Sequence, residues 1–132
     1  MMLQVRLSPK ATKLIEGKNF GHFATIMPDG SPQVSPVWID HEGDLILVNT
    51  ARGRVKQRNS AKDPRVAISI ANQDDPYEKI LVRGRVISQT TQGAEDHIDK
   101  MAKKYTGRDK YPWRVPGEKR IIIKIQPDHI SD

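Results

Sequence analysis

Short strand-like runs, broken at intervals by turn-forming residues, constrain this chain more than any other feature. Phe20 to Met27 reads as a strand. Pro28-Asp29-Gly30-Ser31 supplies turn chemistry, with a proline that presets φ and a glycine free to take positive φ. Gln33 to Ile39 returns as the second arm of a hairpin. His41-Glu42-Gly43-Asp44 turns the chain into a third strand, Leu45-Ile46-Leu47-Val48. Arg65 to Ala71 is a fourth, and Lys79 to Ser88 a long fifth in which Gly84 marks a bend or bulge. Lys119 to Gln126 is the sixth. Helices intervene. Ser8-Pro9 opens a run from Lys10 to Glu16 with a good N-cap and a proline at the first helical position. A basic run follows Asn49-Thr50 and stops before Pro64. Thr91 to Tyr105 sets Ile98, Met101, Ala102 and Tyr105 on one helical face. Six strands in near-hairpin succession with two to three short flanking helices predict a mainly β, antiparallel barrel, since closure removes exposed edges. Ile121-Ile122-Ile123 makes the sixth strand apolar on both faces. One face must therefore meet something besides its own core, and a subunit interface is the economical expectation.

The 132 residues show no internal repeat and no low-complexity linker, so residues 1–132 read as one domain. Aromatics make up only 5% of the chain, which predicts an aliphatic core. The absence of cysteine excludes disulfides, thiolate metal sites and a cysteine nucleophile. No apolar run reaches membrane-spanning length and the first residues lack a signal-peptide core, so the reading is cytoplasmic with no membrane partner.

The formal charge of +6 is localised. Residues 51–65 hold six positive side chains against Asp63, and residues 99–114 hold six against Asp99 and Asp109. Two discrete patches fit a small polyanionic ligand at least as well as a duplex. No helix-turn-helix, RNP or zinc-finger signature accompanies them, so nucleic acid is not the expected partner. The first patch sits where a strand hands over to a helix. Free N–H groups and the positive end of the helix dipole meet there, and Arg54 and Lys56 beside them make an anion site, most often for phosphate. A solvated basic helix face is the competing reading.

Chemistry of other kinds is missing from the sequence. None of His22, His41, His97 and His129 has zinc-type spacing, and no metal site is predicted. There is no nucleophile elbow, no P-loop and no Rossmann fingerprint, so no catalytic residue can be named. A bound redox cofactor suits such a chain, because the cofactor brings the reactive atoms and the protein supplies an anchor and a flat slot. Gln33-Val34-Ser35-Pro36-Val37-Trp38 offers one wall, in which Pro36 interrupts strand hydrogen bonding and frees neighbouring backbone groups.

An ordered set of motifs spans about Ser8 to Ile130. It comprises Phe20-Gly21-His22-Phe23-Ala24-Thr25, Pro28 to Trp38, Arg54-Val55-Lys56-Gln57-Arg58-Asn59, Asp63-Pro64-Arg65-Val66-Ala67 and Val82-Arg83-Gly84-Arg85-Val86. The set resembles the pyridoxamine 5′-phosphate oxidase-like split-barrel proteins, and among them the short deazaflavin-using oxidoreductases. That resemblance implies a six-stranded split barrel, a homodimer with shared cofactor sites, and FMN or the deazaflavin F420 as cofactor, F420 being favoured. It puts the cofactor phosphate on Arg54 and Lys56. It puts the ring against Gln33, Val34, Ser35, Pro36 and Val37 and against Asn49 and Thr50. Tyr77 matches a position near the partner subunit's cofactor, while Lys79 stands where some relatives have an aromatic. The implied reaction is hydride transfer between the cofactor and an unidentified organic small molecule, with no general acid evident. Pyridoxamine phosphate oxidation itself is not expected, because the chain ends at Ser131-Asp132 without the substrate-phosphate motif of the longer oxidases. A polyglutamate tail on F420 would suit the patch of Lys100, Lys103, Lys104, Arg108 and Lys110, which otherwise reads as a solubilising face. A non-catalytic flavin- or F420-binding module is the alternative from a different functional class.

Overall fold

A computed structural model describes residues 5–132. Helix α1 spans Pro9–Glu16 and strands β1 and β2 span Gly21–Ile26 and Pro32–Val37. β3 (Asp40–Glu42) and β4 (Leu45–Ala51) lead into α2 (Val55–Lys62). β5 (Arg65–Ala71) and β6 (Lys79–Thr90) precede α3 (Ala94–Thr106), and β7 (Arg120–Ser131) closes the order. All the strands pair antiparallel in one sheet of order β2-β1-β5-β6-β7-β4-β3. The sheet therefore has seven strands rather than six. The extra one, β3, overlaps the segment His41 to Asp44 read as a turn; three residues are too short to display a period of two. β7 also runs on past Gln126 to Ser131, beyond the limit set by its apolar pattern.

Local chemistry explains the ends of these elements. Ser8 Oγ accepts from the Ala11 N–H at 3.1 Å and caps α1, with Pro9 in the first turn. In the β1–β2 turn, Asp29 Oδ1 accepts from the Ser31 N–H at 2.9 Å, and Gly30 takes φ +87°. β6 carries two register shifts against β7, at Val86/Ser88 and at Arg83/Gly84, the second where the sequence predicts a bulge. A Cβ on Gly84 would stand 2.3 Å from the carbonyl oxygen of Gln126, so only glycine lets β7 approach this closely.

Inner faces from β1, β2, β4, β5, β6 and β7 meet in one core, including Phe23, Val37, Ile46, Ile68, Ile80 and Ile123. A single sheet can bring its strands together in this way only by curling, and α1 plugs the curl with Ala11, Leu14 and Ile15. The core is aliphatic apart from Phe23, as composition predicts. β2 and β3 form the two ends of the sheet order, the seam of the curl, and Trp38 and Ile39 connect them along the chain. Among the described residues, no helix is long and apolar enough to cross a membrane.

The isoleucine run of β7 divides between two clusters. Ile121, Ile123 and Ile125 enter the main core. Ile122 points the other way, into a cluster with Leu47, Ala94 and Leu45 beneath the start of α3. The second apolar face is thus covered within the chain, and the argument from Ile121-Ile122-Ile123 to a subunit interface loses its basis. A helix that follows β6 by three residues folds back across the strand, which a search for surplus apolar faces cannot foresee. Ile122→Ala should accordingly cost about 2–5 kcal/mol, the usual range for Ile-to-Ala cavities in a core. Chemical denaturation should give that loss unchanged over a hundredfold range of protein concentration, whereas an interface residue would make it concentration-dependent.

Candidate functional site

A cavity of about 240 Å³ lies beside the seam, lined by residues from β2, the β2–β3 link, β4, α2, α3 and β7. One end of it is cationic. β4 ends at Ala51, Gly53 turns with φ +93°, and α2 begins at Val55. Arg54 is the N-cap residue of α2, makes no side-chain capping bond, and no acidic residue follows in the first turn. The positive end of the helix dipole is therefore not offset by a carboxylate of α2 itself. Arg54, Lys56 and Arg120 all line the cavity. Glu118 Oε1 accepts from Arg54 Nη2 at 3.3 Å and from Arg120 Nη1 at 3.0 Å. Three cations against one carboxylate leave the end net positive. Burial, followed by the charges of Arg54 and Arg120, holds the Lys56 ammonium below its usual range. An anion placed here would offset the mutual repulsion of the three cations.

The other end is aromatic. The chain has two Phe, two Trp and three Tyr, and five of these seven rings meet around this cavity. Trp38 stacks on Tyr105 with centroids 5.1 Å apart and planes at 4°. Tyr111 stands edge-on to Trp38 at 6.1 Å, and Trp113 leans on Tyr111 at 5.6 Å. Phe20, also on the lining, touches Tyr105. The supporting ring is firmly held: the Tyr105 hydroxyl donates to Asn19 O at 2.7 Å and accepts from the Ile39 N–H at 3.1 Å. Burial pushes its phenol up to about 12, so it stays neutral. Tyr111 and Trp113 ride on the segment 107–119, which α3 anchors through Asp99. That carboxylate accepts from the Tyr111 N–H and from Arg114 Nη1, both at 2.8 Å. The Arg114 bond, together with that N–H and working against partial burial, keeps the Asp99 carboxyl near 2.

Of the residues expected to hold a cofactor, Pro36, Val37, Asn49, Arg54 and Lys56 line the cavity together. The others lie elsewhere. Thr50 faces the barrel interior across from Ile121, and its hydroxyl has no hydrogen-bond partner. Ser35 likewise has an unpartnered buried hydroxyl, and Gln33 Oε1 accepts from the Thr25 hydroxyl. Val34 opens onto a groove across the outer face of β1, β2, β5, β6 and β7, with Leu81, His22 and His129. Tyr77 stands 88% exposed in the β5–β6 loop. The split follows position along β2 and not its alternation: only its last two residues, Pro36 and Val37, reach the cavity, whereas Gln33, Val34 and Ser35 lie nearer the β1–β2 turn.

Several lining residues escape a reading by motif. Arg120 opens a strand whose following isoleucines dominate its appearance. Tyr111 and Trp113 lie in a segment without periodicity, where two aromatics in an aromatic-poor chain are the only clue. The second basic patch is largely satisfied internally. Lys100 meets Asp40 at 3.4 Å, Lys103 meets Asp109 at 3.1 Å and Lys110 meets Asp99 at 3.6 Å. Lys104 donates to the carbonyls of Ile15 and Ile39, and Arg108 lies over the Trp113 ring. Among the described residues, no group of three or more His, Asp or Glu stands close enough to hold a metal ion.

Comparison with known proteins agrees with this architecture. The family model for pyridoxamine 5′-phosphate oxidase matches residues 7–132. A solved F420 reductase is 31% identical, with a TM-score of 0.78 over 90% of this chain and 94% of its own. General Stress Protein 26 from Bacillus anthracis is 24% identical (TM-score 0.66, 92% of this chain and 88% of its own). A conserved hypothetical protein from Mycobacterium tuberculosis is 19% identical (TM-score 0.71, 96% and 84%). These last two share the split-barrel fold alone. With its ordered motifs, curled antiparallel sheet and near-complete family match, the chain belongs to the pyridoxamine 5′-phosphate oxidase family.

Proposed function

We propose that this protein is an oxidoreductase that binds a flavin-type cofactor in the seam cavity, F420 in preference to FMN, and moves a hydride between it and an organic small molecule. The observation that carries this reading is the union, in one cavity, of an uncapped helix N-terminus ringed by Arg54, Lys56 and Arg120 with a wall of stacked aromatic rings. That donor set fits a phosphorylated, planar ligand. The similarity to an F420 reductase supports the deazaflavin over FMN. Arg54 and Lys56 would hold the phosphate, while Pro36, Val37 and Trp38 would flank the ring. When bound, the ring supplies the redox chemistry; the protein orients it and keeps water from its face. No residue of the cavity is a ready general acid, and solvent is the proton source in this scheme.

The cavity is smaller than the ~300–1,000 Å³ typical of ligand pockets. It would enclose one part of such a cofactor and leave the rest needing a further wall. A second copy of the chain supplies that wall in our reading, with the exposed Tyr77 reaching the neighbouring site. The groove bearing Val34 (62% exposed) and Leu81 (44% exposed) would be its contact face.

Three measurements test this. Fluorescence titration should show F420 or FMN binding with Kd below about 100 µM, roughly −5.5 kcal/mol. Arg54→Ala and Lys56→Ala should each weaken it about ten- to a hundredfold, the worth of a charge-assisted phosphate contact, with little change in Tm. Lys62→Ala, at the far end of α2, should bind nearly as the parent does; equal small losses at all three positions would mean a solvated basic face. Turnover of reduced cofactor by candidate acceptors separates an oxidoreductase from a binding module. Light scattering should give a dimer at micromolar concentration, and Leu81→Arg should convert it to a monomer.

A further inference from the structure

Arg120 is almost entirely buried, and a buried guanidinium is costly unless its donors are met. Nε donates to Asn49 Oδ1 at 2.9 Å and Nη1 to Glu118 Oε1 at 3.0 Å, while the guanidinium lies 5.1 Å from the centre of the Tyr111 ring. Held along that edge and across that face, the planar group can present Nη2 in one direction only. Arg120 lines the cavity beside Arg54 and Lys56.

Two partners of Asn49, Arg120 Nε and the Ala94 carbonyl, have only one role each, which fixes its amide. Arg120 Nε can only donate, so Oδ1 must face it. The carbonyl of Ala94 can only accept, and Nδ2 lies 2.9 Å from it. The second Nδ2 hydrogen is directed at His97 Nδ1, 3.0 Å away. That nitrogen must accept and is unprotonated, so the neutral ring carries its proton on Nε2. Nε2 in turn faces Asp40 Oδ2 at 3.0 Å. Both side chains are largely buried, and Asp40 also meets Lys100. The result is a one-way chain of hydrogen bonds in which donation runs from Arg120 of β7 through Asn49 of β4 and His97 of α3 to Asp40 of β3. Reversing the imidazole tautomer would set an N–H of His97 against an N–H of Asn49, and flipping the amide would break the bonds to Arg120 and Ala94.

We infer that Asp40, His97 and Asn49 are positioning residues that fix Arg120 as the third cation of the anion site. This rests on reading the cavity as the cofactor-phosphate site. Its distinguishing feature is a sign. By Coulomb attraction alone, removing the Asp40 carboxylate makes the region more positive and tightens anion binding. The relay requires the opposite, because a neutral amide at that position holds the Nε2–H of His97 more weakly than a carboxylate does and can turn its own N–H toward the ring, which loosens the imidazole against which Asn49 is set.

The test has a ligand-free arm and a binding arm. In 15N-labelled protein at neutral pH, His97 should show one tautomer, protonated on Nε2, and the Arg120 Nε–H should be protected from exchange. Asp40→Asn and His97→Leu should mix the tautomer or abolish its signal, and should expose that N–H. In titrations with F420 and FMN, Asp40→Asn and His97→Leu should weaken binding about three- to tenfold, as expected for neighbours in one network. His97→Asn, which can present Oδ1 where Nδ1 lies, should restore most of the loss. An unchanged Arg120 Nε–H signal in both variants, or tighter binding by Asp40→Asn, overturns the relay. If Arg54→Ala and Lys56→Ala leave binding untouched, the reading of the cavity fails, yet the ligand-free arm still decides whether the relay exists.

Discussion

Burial of β7 on both faces is the constraint from which the rest of the molecule follows. Its inward isoleucines close the curled sheet, and its outward Ile122 demands a cover that only α3 provides. Placing α3 there brings Ala94 and His97 against Asn49 of β4. It also carries Lys104 and Tyr105 across to the carbonyls that end α1 and bracket the seam. The segment after α3 then returns over the seam and is pinned by Asp99, which sets Tyr111 and Trp113 where the cavity needs walls. The site is thus a by-product of covering one strand.

Electrostatics and packing pull in opposite directions at this place. Arg54 and Arg120 share Glu118 with Lys56 close enough to feel both charges, and Arg120 gives up almost all of its hydration. Such an arrangement is unfavourable for folding taken alone, since like charges in a partly dry setting repel and each lost water must be replaced by a protein partner. The network of Asn49, Glu118 and the Tyr111 face offsets part of that cost. The remainder persists as attraction for an anion, which is how a fold stores affinity in a preorganised site.

Much of the fold was legible because its signals are local. Ser8-Pro9, the Pro28 to Ser31 turn and Gly84 each report on chemistry within a few residues, and the structure puts a cap, a turn and a bulge there. β3 was hidden because three residues cannot show alternation, and the end of β7 because its apolar pattern stops before its pairing does. The basic junction between β4 and α2 was legible for the same reason as the turns: a strand end, a glycine and clustered basic residues are contiguous. The aromatic wall was not, because Trp38, Tyr105, Tyr111 and Trp113 come from three separate segments that only the tertiary fold assembles. Asn49 was singled out as a contact for the ring, yet its amide is spent on Ala94, His97 and Arg120. No sequence signal marks that use, since each partner lies more than forty residues away.

The bond between Asn49 and Arg120 joins positions 71 apart. Closing so long a loop is entropically slow to be rewarded, and contacts of this kind form late on the folding path. During synthesis the first six strands can begin to pair before β7 leaves the ribosome, but they cannot hold the guanidinium or the rings of Tyr111 and Trp113. Competence to capture a ligand would therefore appear abruptly, with the docking of a single strand. The cavity would distinguish a finished molecule from a nearly finished one, and a cofactor that binds there would draw the population of incomplete chains toward the folded state by mass action.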